Sequence, residues 1–61
     1  MNKAQKREVA MIEVYMDNGM TDTAARSLSA LIRSAMTDKT KRDLIAMAEG
    51  LRLAGHPEFI I

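Results

Sequence analysis

Cysteine and tryptophan are absent from the 61 residues, and Tyr15 and Phe59 are the only representatives of the large aromatics. Without cysteine there are no disulfide staples and no thiolate metal sites. Without a set of rigid aromatics, core filling falls to aliphatic side chains and to six flexible methionines. Histidine occurs once, as His56, and proline once, as Pro57. A lone histidine with no identifiable orienting partner supports no Ser–His–acid arrangement. The carboxylates are scattered singly. Gly19, Gly50 and Gly55 lie too far apart to form a phosphate-cradling loop. The expectation is a protein that is not an enzyme, with no cofactor, no metal and no small-molecule substrate.

Long apolar runs are also missing. None approaches the roughly 20 residues needed to cross a bilayer. No apolar stretch of leader length accompanies Lys3, Lys6 and Arg7. No membrane association is expected, and the expected location is cytoplasmic. Charge of one sign is lacking as well: nine basic residues stand against eight acidic ones. Nucleic-acid binders show a basic excess or a basic stripe, so the balance argues against that class.

What is present is apolar content of 48%, too much for a disordered tail. The length allows one domain, residues 1–61. A chain this short buries only about 60% of its unfolded surface and is marginally stable by itself. Such chains commonly gain stability from a partner.

Punctuation divides the chain into three segments. Gly19 follows Asp17-Asn18 and Gly55 follows Leu53-Ala54, the placement of glycines that end helices. Pro57 then discourages any restart. Thr21-Asp22 and Thr37-Asp38 each offer side-chain oxygens to bare amides at a helix start. The spacing predicts an all-α, compact three-helix bundle, with helices at about 3–18, 22–36 and 38–54 and an apolar C-terminal tail.

On a helical wheel the second segment gathers Ala24, Ala25, Leu28, Leu31, Ile32, Ala35 and Met36 on one face. The first gathers Ala4, Met11, Ile12, Tyr15 and Met16, with Val9 and Val14 at the flanks. Glu8 falls near the middle of that arc. It is either a buried partner for an arginine or, as its place near the helix start favours, open to water. The third gathers Leu44, Met47, Ala48, Leu51 and Ala54. Met20-Thr21-Asp22 recurs as Met36-Thr37-Asp38. The echo is either one turn-and-helix unit used twice or a chance likeness of two amphipathic helices.

Several apolar residues have no place in these faces. Ile45 and Leu53 lie outside the main arc of the third helix, and the chain ends Phe59-Ile60-Ile61. The tail either folds back over Ala46, Gly50 and Leu53 or leaves this surface for a partner. The small core tilts the expectation toward the partner. The expected interface is Ile45, Leu53, Phe59, Ile60 and Ile61, with Arg26 and Arg33 as a polar rim. The expected partners are a second copy, a twofold dimer being the default, and another protein. The alternative is a small DNA-binding regulator that presents Lys39, Lys41 and Arg42 at the start of the third helix. Asp38 and Asp43 beside that cluster count against it.

The runs Met1-Asn2-Lys3-Ala4-Gln5-Lys6-Arg7-Glu8 and Gly19-Met20-Thr21-Asp22-Thr23-Ala24-Ala25-Arg26 resemble those of short proteins encoded by bacteriophages. The resemblance covers less than half of the chain and implies no fold, activity or site. It implies an accessory protein that acts on a host or phage protein.

Overall fold

A computed structural model describes residues 1–60 and contains three helices: α1 (Lys3–Asp17), α2 (Thr21–Ser34) and α3 (Asp38–Leu53). It is an all-α three-helix bundle. Each boundary follows from local chemistry. At the start of α1, the Gln5 backbone N–H donates to Asn2 Oδ1 at 2.8 Å, and the Asn2 N–H donates to Gln5 Oε1 at 2.9 Å. This reciprocal pair satisfies two amides that the helix leaves bare. The Asn-x-x-Gln spacing is the sequence signal of this cap, one the threonine pattern does not include.

The glycine-terminated ends form as expected. At the end of α1, Gly19 has φ +73°, Met20 N–H donates to the Tyr15 carbonyl at 2.8 Å and Gly19 N–H to the Met16 carbonyl. At the end of α3, Gly55 has φ +106°, with His56 N–H donating to Leu51 and Gly55 N–H to Arg52. Both are Schellman closures, and the left-handed residue they need is cheap only as glycine.

The repeated Met-Thr-Asp runs do different work. Thr37 caps α3 by accepting from the Thr40 N–H at 3.3 Å. The cap position of α2 is Met20, one residue earlier in the motif, and no side chain caps it. The expected Thr21-Asp22 cap is therefore absent. Gly19 turns the chain so sharply that Thr21 is already helical, whereas Ala35, at φ −66° and ψ 130°, leads into α3 in an extended conformation. The same extended Ala35 ends α2 two residues before its expected limit. It also swings Met36 off the apolar face, leaving Met36 93% exposed.

Helix α2 is the centre of the bundle. It packs against α1 and against α3, while α1 and α3 share no pair of Cα atoms within 8 Å. Ala24, Ala25, Leu28, Leu31, Ile32 and Ala35 of α2 are all buried. Helix α1 adds only Ile12 to the fully buried apolar set, and α3 adds Leu44 and Ala48. Val9, Tyr15, Met16, Ile45, Met47 and Leu51 pack against this core from its edges. Ala4, Met11 and Val14 are exposed, because the arc of α1 that meets α2 is narrower than its apolar arc.

The tail closes the core, by a different route from the one the sequence suggested. Phe59 is 2% exposed and belongs to the buried cluster. Ala46, Gly50 and Leu53 stay uncovered. A turn sealed by Phe59 N–H to the His56 carbonyl at 3.2 Å brings the ring inward, edge-on to His56 at 6.3 Å. The radius of gyration is 10.6 Å, matching the roughly 10.5 Å of a folded chain of this length, so the tail is part of the globule.

Two stability measurements check this account by urea titration followed by circular dichroism. Phe59→Ala should lose about 3–5 kcal/mol, most of what so small a domain has; a loss below about 1 kcal/mol would contradict a core role. Gly50→Ala should gain about 0.8–1 kcal/mol, because an added Cβ meets nothing within 4 Å.

Candidate docking surface

The bundle leaves large apolar side chains in water at several places. Leu53, at the end of α3, is 86% exposed, and Ile60, just after the buried Phe59, is 69% exposed. Met36 lies in the turn between α2 and α3, Met20 in the turn between α1 and α2, and Met11 with Val14 on the outer side of α1. Scattered single exposures are ordinary; near-complete exposure of branched aliphatics beside a finished core is less so.

The expected interface is divided by the fold. Leu53 and Ile60 are on the surface, Ile45 is half-buried against the core, and Phe59 is inside it. Phe59 is thus corrected from a contact residue to a core residue: the bundle lacks any other buried aromatic, and the turn at His56 aims this one inward. Ile61 lies outside the described residues. Arg26 and Arg33 are exposed on the side of α2 turned away from its buried face, and Leu53 is on the side of α3 turned away from α2. The arginines therefore form no rim around Leu53. Glu8 is exposed, in keeping with its place near the start of α1. Periodicity places Met11 and Met36 on apolar faces, but both are exposed, Met11 because the α1 contact is narrow and Met36 because α2 ends early.

The basic cluster at the start of α3 is partly neutralised. Lys39 Nζ sits 3.1 Å from Asp43 Oδ2, one turn along the helix, and Arg42 Nε donates to the Asp38 carbonyl at 3.4 Å. Lys41 points off at a different wheel angle. Acidic groups thus interrupt the positive field that a phosphate backbone would meet. Open, shallow depressions lie between the first half of α1 and the second half of α2, bordered by Glu8, Leu31 and Ser34, and between the start of α1 and the start of α3, bordered by Gln5, Met36 and Lys39. None is the concave, enclosing site that small ligands require. Among the described residues no group of three histidine or carboxylate side chains could hold a metal ion, and no helix is long and apolar enough to cross a membrane.

The tail is latched by polar contacts. Glu58 Oε2 lies 3.4 Å from His56 Nδ1. The Glu58 carboxyl is held below its usual range chiefly by its own backbone N–H, then by the Thr21 hydroxyl and by the charge and hydrogen bond of His56. The Thr21 contact places the tail at the start of α2, the helix end that has no cap of its own. A carboxylate is favoured there by the helix dipole.

Compared with family models, with characterised proteins and with solved structures, the chain matches none.

The latch has a definite pH sign. A folded-state carboxyl pKa below the unfolded value of 4.5 contributes stability above that pH and loses it as pH falls through the folded value. Wild type should therefore be more stable than Glu58→Gln at pH 7, with the difference shrinking below about pH 4.5. A difference in unfolding midpoint that is the same at both pH values would contradict the latch.

Proposed function

We propose that this chain is a non-enzymatic helical docking module, a small self-associating accessory or regulatory protein that works by placing exposed apolar side chains against another protein. One observation carries the proposal. The core is already closed by Phe59, yet Met36, Leu53 and Ile60 remain in water. These side chains contribute little to the fold of one chain, and their transfer out of water is available to binding, at about 25 cal/mol per Å² of apolar surface. The recognition mode is helix packing, with Leu53 as the branched anchor and the methionines adapting to the opposing surface. The near-neutral charge suits a protein partner better than a polyanion.

The test is affinity capture from a cell lysate of the native host, comparing wild type with Leu53→Ser/Ile60→Ser. Both sites are exposed, so the double variant should keep its helix content and unfold within about 0.5 kcal/mol per site of wild type. Proteins retained by wild type should be lost. Capture of the same set by both forms, or of nothing above background by wild type, would remove the basis for the reading.

A further inference from the structure

We infer that the outward face of α3 pairs with the same face of a second copy, antiparallel, across a twofold axis at Ala46. This deepens the docking reading and rests on it. Lys39, Ala46 and Leu53 recur every seven residues, and so do Arg42 with Glu49 and Asp43 with Gly50. A seven-residue recurrence keeps a stripe facing one neighbour along the length of a helix. All seven side chains or positions are exposed, and they lie on the side of α3 away from its buried Thr40, Leu44 and Ala48.

Gly50 gives an independent reason. An interior helix glycine sacrifices about 0.8–1 kcal/mol relative to alanine, and nothing within its own bundle approaches it. Ala46 and Gly50 together form the one stretch of this face where another helix backbone could come close. Leu53 flanks that stretch with apolar bulk.

Charge selects the occupant and its direction. Arg42 and Glu49 lie one heptad apart on the same edge of the face. Among the described residues neither forms an ion pair. In a parallel pair the two edges of the face exchange: Arg42 would fall beside the partner's Asp43, which Lys39 already holds, Glu49 would face the partner's Gly50, and the two Lys39 ammoniums would meet at the axis. In an antiparallel pair about Ala46, each Arg42 falls beside the partner's Glu49, giving two complementary contacts. The Lys39 stem then crosses the partner's Leu53, an apolar contact that leaves the ammonium with Asp43 in water. A twofold axis makes these contacts self-consistent. The interface is one helix of 16 residues, about 24 Å long, so the pairing is weak and depends on concentration.

Sedimentation of the whole chain between ~10 μM and ~1 mM reads the association directly. Wild type should move from monomer toward dimer across this range. Arg42→Glu and Glu49→Arg should each weaken the dimer roughly tenfold, and the double reversal should restore it to within about threefold. Ala46→Glu, which places two carboxylates at the axis, should abolish the dimer with helix content unchanged. A wild type that stays monomeric, or a dimer that survives Ala46→Glu and ignores the charge reversals, overturns the pairing. The lysate experiment fails or succeeds separately: a monomer that still loses captured proteins on Leu53→Ser/Ile60→Ser keeps the docking reading and loses the dimer. A dimer that captures nothing does the opposite.

Discussion

Everything in this bundle leans on the apolar face of α2. The two outer helices share no pair of Cα atoms within 8 Å, so the apolar stripe of each rests chiefly on the central helix. That face is half alanine: Ala24, Ala25 and Ala35 stand at the two ends of Leu28, Leu31 and Ile32. Small side chains let neighbouring helices approach but bury little area each, and area removed from water is the main favourable term in folding. The shortfall explains the role of Phe59. One ring from outside the helices supplies bulk that α2 lacks.

Helix ends, more than helix interiors, decide the path of the chain. Both glycine closures reverse direction within three residues and satisfy the last carbonyls internally. The turn between α2 and α3 has no glycine and runs through an extended Ala35 to a threonine cap. That contrast explains why two identical tripeptides behave differently. A Met-Thr-Asp run has no structure of its own; the residue before it sets where the next helix begins. It also explains Met36, an apolar-face residue by periodicity that the early end of α2 leaves in water.

The candidate surface was legible in part. Leu53 sits almost opposite the buried face of α3 on any wheel, and its exposure follows from period alone. Ile60 stays outside because the turn at His56 spends its inward position on Phe59. The role of Phe59 was not legible. Phe59, Ile60 and Ile61 look equivalent in a linear reading, and only the reversal at His56 distinguishes the ring that goes inside. Arg26 and Arg33 share a side of α2, as their spacing required, but the orientation of that side relative to α3 is a tertiary matter.

Sequence alone determined the three helices, their approximate limits, the glycine terminations and the apolar face of α2. These follow from backbone sterics and from the 3.6-residue period, which act over a few neighbours. It also determined the charge balance and the absence of thiol chemistry. The tertiary structure decided the rest: that α2 is central, that Phe59 is core, that Glu58 comes beside Thr21, and which apolar residues are left over. Those outcomes depend on which surfaces meet across long stretches of chain. A local pattern states how much apolar surface a helix has, but not how much of it a neighbour will cover.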